Sequence, residues 1–276
     1  MSYVSAQGLS VAYDNHVIVK EMNVEIPEGK ITSIIGPNGC GKSTLLKAIS
    51  RIKKPHNGIA YLQGEDIHKM KTKDVAKKLA ILSQAPELPG GLTVEQLVSY
   101  GRFPHQNGLQ RLSSKDKEAI VAALKNTNLM EFRDRPVDAL SGGQRQRAWI
   151  AMALAQETEL LFLDEPTTYL DMAHQMEVLE LLERLNREEG RTIVMVIHDI
   201  NHAARFSDHL IALKDGKLLF NGDPYHIICP PVLKEIFHID AYIGKDPRTG
   251  KPVCITYNLL PEDVSIKKDA GLLQEV

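Results

Sequence analysis

This chain has few cysteines and few aromatic residues, and its positive and negative charges nearly balance. Its three cysteines, Cys40, Cys229 and Cys254, lie far apart and lack the paired spacing of metal ligands, so we predict no disulfide and no zinc site. So few cysteines are typical of a reducing compartment. The formal net charge of -2 gives no overall bias towards nucleic acid or anionic lipid, and we predict no nucleic-acid partner.

Long hydrophobic runs are also lacking. The N-terminus has no basic segment followed by an apolar core, and the longest apolar stretches, such as residues 148–155, are too short to span a bilayer. We therefore expect the chain to be cytosolic unless a membrane-bound partner recruits it. With 43% hydrophobic and 25% charged residues, its composition is that of an ordinary globular protein that can bury a substantial core.

The most informative stretch is a glycine-rich segment that follows an apolar run and precedes an amphipathic one. This succession is typical of a phosphate-binding loop, in which inward-pointing N–H groups and the positive end of a helix dipole hold phosphate. Lys42 would reach the terminal phosphates and Ser43 would bind Mg²⁺. The predicted nucleotide-binding residues of the loop are Gly36, Pro37, Asn38, Gly39, Cys40, Gly41, Lys42, Ser43 and Thr44. A glycine-rich turn with a surface lysine is the alternative.

Hydrophobic patterns along the rest of the chain predict an α/β fold. Buried-type strands over residues 160–163 and 192–197 alternate with helices, and such units imply parallel strands with helices on both faces. Short alternating runs within residues 3–26 predict an antiparallel β flap. We expect a P-loop NTPase layered core with a parallel sheet, an N-terminal antiparallel β flap and an inserted α-helical lobe.

The inserted lobe is predicted at about residues 86–156. Prolines and glycines, beginning with Pro86 and Pro89, interrupt the alternation there, and helical patterns follow. We expect Ser114 and Ser141 to cap two of the helices, with a loop over residues 101–106 before the first of them.

The remainder of the chain is expected to complete a single domain over residues 1–260. A hairpin is predicted around residues 214–216, and mixed helix and loop after residue 224. Residues 261–276 would form a polar C-terminal tail.

Polar side chains follow the predicted parallel strands. Asp164 can bind Mg²⁺, directly or through water, and Glu165 can orient and deprotonate the water that attacks the γ-phosphate. His198 also follows an apolar strand, and Gln84, at the junction with the lobe, could contact the metal or the attacking water. Each residue has a structural alternative: a helix cap or solvated turn for the carboxylates, a satisfied structural histidine, and a glutamine that merely ends a strand.

A second glycine-rich segment opens the last helix of the lobe. Ser141, Gly142 and Gly143, followed by Gln144, make another helix terminus that suits an anion, and one nucleotide scarcely needs two such termini in one chain. A head-to-tail dimer would solve this, because the terminus of one subunit would close over the γ-phosphate held by the other. Hydrolysis would then be coupled to opening and closing of the dimer.

Taken in order, these segments resemble the ATP-binding subunit of an ABC transporter, over roughly residues 1–230. The resemblance implies ATP and Mg²⁺ as ligands, with Glu165 as the base, His198 as the switch and Gln84 as a sensor of the γ-phosphate. It implies Mg²⁺ contacts from Ser43, Gln84 and Asp164. Further nucleotide or dimer contacts are implied for Tyr13, which would stack on adenine, for Asp171 in the dimer-contact loop, and for Ser141, Gly142, Gly143 and Gln144 acting in trans.

A narrower resemblance concerns the cargo. Residues 101–105, 164–171 and 173–175 resemble the import subunits for iron-siderophores, haem and cobalamin, the siderophore branch most of all, with Tyr169 in place of a small residue. The implied partners are integral-membrane permease subunits, a second copy of the chain and, indirectly, an extracytoplasmic substrate-binding protein. The implied location is the cytoplasmic face of the cell membrane. These residues could also be framework variations, because the transported molecule never enters this subunit.

Other classes of ABC-type ATPase remain as alternatives. A DNA-maintenance or translation factor would ordinarily carry a long coiled-coil insertion or a second cassette, and neither occurs in this sequence. A scaffold for iron–sulphur cluster assembly is harder to dismiss, although His105 and Tyr169 favour transport. A nucleotide-binding module without turnover would be expected to lack Glu165 or His198. Within the loop, Cys40 could be a low-pKa, modifiable thiol or an inert residue.

Overall fold

The computed structural model describes residues 2–14, 16–84, 90–106 and 111–261. The predicted break at Pro86 and Pro89 lies outside the described residues, as does the predicted polar tail from residue 262 onward. The strands are β1 (Ser2–Tyr13), β2 (His16–Pro27), β3 (Ile31–Ile35), β4 (Asn57–Leu62), β5 (Glu65–Asp66), β6 (Leu79–Leu82), β7 (Leu160–Asp164), β8 (Thr192–Val196), β9 (His209–Lys214), β10 (Lys217–Gly222), β11 (Ile239–Lys245) and β12 (Pro252–Leu259). The α-helices are α1 (Lys42–Ile49), α2 (Thr72–Lys78), α3 (Val94–Ser99), α4 (Ser114–Asn126), α5 (Gly142–Ala155), α6 (Met172–Glu189), α7 (Ile200–Phe206), α8 (Pro224–Ile227) and α9 (Pro230–Phe237).

A six-stranded sheet in the order β10-β9-β3-β8-β7-β6 lies at the centre of the molecule. β6, β7, β8, β3 and β9 are parallel to one another, and β10 pairs antiparallel with β9. The residues of β3, β7 and β8 are all buried, as expected of parallel strands covered on both faces. The predicted α/β core with a parallel sheet is therefore confirmed.

The two faces of this sheet belong to different apolar clusters. Ile34 and Phe162 join the residues of α1 and of the N-terminal strands, whereas Ile35 and Leu163 join the residues of α5 and α6. This alternation follows from the two-residue period of a strand. Layers on both faces shield the sheet from water, and only its edges and strand ends are left for chemistry.

The N-terminal flap is an antiparallel sheet in the order β2-β1-β4-β5. The short runs predicted here are parts of two continuous strands of 12 residues each, β1 and β2. Register shifts interrupt their pairing, and Gly8, with φ of 57°, lies at one of them. These bulges disturb the alternation of apolar residues, which is why the sequence pattern breaks the strands into pieces.

An α-helical lobe is present between β6 and β7, although its predicted bounds stay a prediction. Its helices α3, α4 and α5 each begin with a capping box, in which the N-cap side chain and the third helical side chain exchange hydrogen bonds with backbone N–H groups. The cap of α4 is Ser113 rather than the predicted Ser114, because only Ser113 is extended and accepts from Asp116 N. Ser141 caps α5 as predicted.

Residues Tyr100–His105 form a 3₁₀ helix where a loop was predicted. Gly101 allows it to pack closely against α5, since a Cβ at this position would lie 2.1 Å from the carbonyl oxygen of Met152. Arg102, only 1% exposed, donates to Asp116 Oδ1 at 2.8 Å, to Ala155 O at 2.6 Å and to Glu157 Oε2 at 2.7 Å. A buried ion pair thus ties this helix to both α4 and the end of α5.

The C-terminal region differs most from expectation. The structure has α8, α9 and then an antiparallel hairpin of β11 and β12, where mixed helix and loop were predicted. Ile239, Ala241 and Cys254 on the inner side of the hairpin are buried in the main core, while Tyr242 and Tyr257 are exposed. Apolar residues on both sides hide the alternation that signals a strand. Among the helices of the described residues, none is long and apolar enough to cross a membrane.

The buried ion pair of Arg102 generates a stability prediction. Hydrogen bonding from Ser113, followed by the interaction with Arg102, lowers the pKa of Asp116 to about 2. A carboxyl group whose pKa is lower in the folded chain stabilises it above the unfolded pKa of about 3.9, and this contribution is lost as the pH falls towards 2. We expect Arg102→Met to lower the free energy of unfolding at pH 7 by about 3–5 kcal/mol, because it leaves Asp116 without its cation.

Denaturant unfolding at pH 7 and at pH values between 4 and 2 measures this effect. The variant should also show a shallower loss of stability over the acidic range than the unsubstituted chain. Lys117→Met, which removes an exposed charge from α4, the helix of Asp116, is the matched control and should change stability little. Equal stability of the two variants at pH 7 would contradict the prediction.

Candidate functional site

The turn between β3 and α1 is built around three glycines with positive φ. These are Gly36 at 148°, Gly39 at 76° and Gly41 at 103°, conformations that side-chain-bearing residues adopt at a cost. At Gly36 space is limiting as well, because a Cβ would lie 2.2 Å from the carbonyl oxygen of Leu213 in β9. The loop therefore passes close over the neighbouring strand before it turns into α1.

The N-terminus of α1 has no side-chain cap, since its N-cap residue is Gly41. The N–H groups of the first turn consequently have no helical partner and carry the positive end of the helix dipole. Lys42, only 5% exposed, folds back and donates from Nζ to Gly36 O at 2.9 Å and to Pro37 O at 3.0 Å. An ammonium group has three N–H donors, so one stays available to a ligand.

An open depression of about 470 Å³ lies over this terminus. Its lining brings together Tyr13, Ile18, Asn38, Gly39, Gly41, Lys42, Ser43, Thr44, Glu165 and His198. Tyr13 is 41% exposed, and the ammonium of Lys53 lies 4.2 Å from the centroid of its ring. Uncapped N–H groups, a lysine and an exposed aromatic ring along one depression suit a ligand with phosphates at one end and a flat ring at the other.

The end of β7 brings two carboxylates close to the same depression: Glu165 lines it, and the buried Asp164 contacts Ser43 in its lining. Ser43 Oγ donates to Asp164 Oδ1 at 2.7 Å, and this contact joins α1 to β7. Burial, the larger effect, raises the pKa of Asp164, although the bond from Ser43 opposes it. A group of three or more His, Cys, Asp or Glu side chains that could hold a metal is not found among the described residues. Mg²⁺ fits the two oxygens of Ser43 and Asp164 if water and phosphate supply its other ligands, as is usual for this ion.

Glu165 is held by three neighbours. Gln84 Nε2 and Thr168 Oγ1 both donate to its Oε2, the latter at 3.0 Å, and His198 Nε2 lies 2.6 Å from Oε1. The backbone of Glu165 has a φ of 54°, which is unusual for a residue with a side chain and directs its carboxylate into this cluster. The structure thus brings Gln84 and His198 into direct contact with Glu165, and it adds Thr168, to which the sequence analysis gave no role.

The second glycine-rich segment lies elsewhere on the chain. Ser141 and Gln144 are joined by their capping box, with Gln144 N donating to Ser141 Oγ at 3.3 Å. Gly143 packs against the ring of His174 so closely that a Cβ would lie 2.2 Å from its Cδ2 atom. Asp171 caps α6 and accepts from both His174 N and His174 Nδ1. Within the part of the chain that the structure describes, none of these residues lines the depression over α1.

The remaining loop residues have structural positions. Cys40 is 5% exposed, and burial raises the pKa of its thiol, which favours the inert interpretation over a low-pKa thiol. Sequence reasoning gave no individual role to Lys53, His174 or Thr168. Thr168 lies three residues after Glu165 in a turn and could have been noticed, but no pattern in the sequence connects Lys53 with Tyr13 or His174 with Gly143.

Comparison with known proteins agrees with this geometry. Residues 19–168 match the profile described as ABC transporter. The iron(3+)-hydroxamate import ATP-binding protein FhuC of Bacillus subtilis (strain 168) is 60% identical over 263 residues, which cover 95% of this chain and 98% of that protein. The ferric enterobactin transport ATP-binding protein FepC of Escherichia coli (strain K12) is 46% identical over 247 residues, covering 90% of this chain and 91% of FepC.

Solved structures give the same result. An inward-facing ABC transporter described as being of the metal-chelate type superposes with a TM-score of 0.80 at 27% identity, covering 95% of this chain and 99% of that one. The dimeric cassette MJ0796 in a post-hydrolysis state with ADP and Pi superposes with a TM-score of 0.69 at 32% identity, covering 80% of this chain and 98% of that one. The P-loop NTPase core that the sequence predicts is confirmed, as is the resemblance to the siderophore-import branch. The chain belongs to the ABC transporter family, as one of its ATP-binding, ATP-hydrolysing subunits.

Proposed function

We propose that the chain powers the import of iron-siderophore complexes, as a homodimer with two composite ATP sites beneath membrane permease subunits. The observation that carries the hydrolytic part is the position of Glu165, at the end of a buried strand and in contact with Gln84 and His198 beside the phosphate loop. The substrate class rests on the relatives, whose names specify ferric hydroxamate and ferric enterobactin. An extracytoplasmic binding protein would deliver the chelate, and the chain would lie at the cytoplasmic face of the cell membrane.

Binding of ATP would exchange contacts that the chain now makes with itself. Lys42 would turn an N–H from the loop carbonyls towards the terminal phosphates, and the first-turn N–H groups of α1 would hold the same oxygens. Tyr13 would stack on adenine with an exposed face of its ring. Mg²⁺ held by Ser43, Asp164 and Gln84 would neutralise charge on the phosphate oxygens.

Glu165 would act as the general base. Its Oε1 is in contact with His198 and its Oε2 with Gln84 and Thr168, so Oε1 keeps one lone pair with which the carboxylate can accept a proton from water. Gln84 is exposed at the junction with the α-helical lobe, and a movement of the lobe would release it. His198 would keep Glu165 oriented and respond to the γ-phosphate.

The second half of each site would come from the partner copy. The N–H groups of Gly142 and Gly143 belong to the first turn of α5 and have no helical partner, which suits the γ-phosphate of the other subunit. Ser141 and Gln144 would contact the same phosphate, and Asp171 would lie in the subunit contact. Tyr169 and Met172, which flank Asp171, are 91% and 79% exposed and offer an apolar surface that a second copy would cover.

Import of haem or cobalamin is the nearest rival, and iron–sulphur cluster assembly is a more distant one. Neither is named among the two relatives compared above, whereas iron chelates are named in both. We therefore place ferric hydroxamates first and other ferric siderophores second.

The role of Glu165 can be tested directly. We expect Glu165→Gln to lower kcat for ATP hydrolysis by about 10²–10⁴-fold, because the amide cannot accept the proton, while ATP binding is retained. Steady-state phosphate release and ATP binding by calorimetry measure the two quantities. Glu188→Gln, an exposed substitution at the end of α6, is the control and should behave like the unsubstituted chain. Undiminished turnover of Glu165→Gln would remove this residue from the base role.

The substrate assignment can be tested by growth. A deletion strain under iron limitation should fail to grow on one or more hydroxamate siderophores supplied singly, and a plasmid copy of the unsubstituted chain should restore growth. The same plasmid carrying Glu165→Gln should not, because import needs hydrolysis. Unchanged growth of the deletion strain on every siderophore would contradict the assignment, and a defect only with haem or cobalamin would move it to that rival.

A further inference from the structure

Helix α7 begins two residues after His198 and holds the chain on the C-terminal side of this residue. Asp199 is its N-cap, and Asp199 Oδ1 accepts from Asn201 N and His202 N, both at 2.8 Å. The helix covers only Ile200–Phe206. A helix of two turns is not stable by itself in water, so the position of α7 depends on its tertiary contacts.

The C-terminal hairpin holds the first turn of α7. The Asn201 side chain pairs with the backbone of Cys254 in β12: its Nδ2 donates to Cys254 O at 3.0 Å, and its Oδ1 accepts from Cys254 N at 2.7 Å. These two bonds imitate the pairing of a neighbouring strand. They fix both the distance of the helix from β12 and its rotation about its own axis.

The hairpin also holds the other end of α7. Lys251, at the end of the hairpin turn, donates from Nζ to Arg205 O at 2.8 Å and to Ser207 O at 2.7 Å. A cation at the C-terminus of a helix satisfies carbonyl groups that have no helical partner and interacts favourably with the helix dipole. Burial lowers the pKa of the Lys251 ammonium, as expected of a charge that has exchanged water for carbonyl oxygens.

Apolar packing completes the contact. Ala203 and Phe206 of α7 are buried in the same cluster as Ala241 and Cys254 of the hairpin. The hairpin therefore contacts α7 at its first turn, along its inner face and at its last turn. On its other side His198 follows β8, where Ile197 N donates to Ile34 O at 3.3 Å, and the His198 side chain contacts Glu165.

We infer that the C-terminal hairpin positions the switch histidine: Asn201 and Lys251 fix α7 from its two ends, and α7 fixes where His198 meets Glu165. Asn201 and Lys251 are positioning residues, because neither of them lines the depression that would hold the nucleotide. The inference rests on the proposed role of His198 in hydrolysis. The hairpin lies outside the phosphate-binding elements, and we expect it to affect turnover rather than ATP binding.

Two substitutions at opposite ends of α7 test this inference. In the purified full-length chain, Asn201→Ala and Lys251→Met should each lower kcat for ATP hydrolysis by about 3–30-fold, with KM for ATP changed by no more than about twofold. The matched controls are Asn258→Ala and Lys245→Met, which alter exposed residues of the same hairpin and should leave both constants unchanged. The two test substitutions remove contacts at different ends of the helix, so either variant can test the inference if the other does not fold.

A spectroscopic readout separates positioning from a general loss of stability. The imidazole resonances of His198, identified among those of the 10 histidines by their loss in His198→Ala, should shift or broaden in Asn201→Ala and Lys251→Met at temperatures well below unfolding. They should be unchanged in the two controls. A purely structural role of the hairpin would lower the unfolding temperature and leave these resonances in place.

The outcomes distinguish this inference from the proposed function. If His198→Ala hydrolyses ATP at the unsubstituted rate, the proposed role of His198 fails. If His198→Ala is inactive while Asn201→Ala and Lys251→Met keep both the kcat and the His198 resonances of the unsubstituted chain, only the positioning inference is overturned. A fall in kcat with unmoved resonances also overturns it, because the effect would then reach the site by another route.

Discussion

Parallel pairing of β3, β8 and β7 is the constraint on which the site depends. Ile34 of β3 and Asp164 of β7 both pair with Val196 of β8, so the three strands end in register at one edge of the sheet. The phosphate loop, the Asp164–Glu165 pair and His198 each continue from one of these ends. Ser43 and Asp164 are 121 positions apart in the sequence, and strand pairing brings them close enough to form a hydrogen bond. A parallel sheet buried on both faces leaves this edge as the natural place for chemistry.

The charged groups of the site are satisfied within the chain before any ligand binds. Lys42 donates to loop carbonyls, Asp164 accepts from Ser43, and Glu165 is surrounded by Gln84, Thr168 and His198. Buried charges require such partners, because an unpaired one costs several kcal/mol. Binding of a nucleotide is consequently an exchange of hydrogen bonds rather than a simple gain.

Sequence patterns located the site because its residues follow short, strongly apolar strands. The loop from Gly36 to Lys42, the pair after β7 and the histidine after β8 are all defined by local context, and the sheet brings them together. Tertiary partners were not predictable in this way. Arg102 has the sequence neighbours of a surface residue, and its burial depends on Asp116 and Glu157, which come from other elements. The C-terminal hairpin was missed because apolar residues occupy both of its faces, and α7 supplies a partner that no pattern within the hairpin reveals.

The close contact between Gly143 and His174 limits the residues that the two proposed subunit-facing segments can accept. Any side chain at position 143 needs the volume that the His174 ring occupies, and the ring is fixed by Asp171 through its Nδ1 atom. The segment that would bind the partner's phosphate and the segment that would contact the partner's surface therefore compete for the same space. A side chain at position 143 therefore requires the His174 ring to move or be replaced, although about 30 residues of sequence separate the two positions.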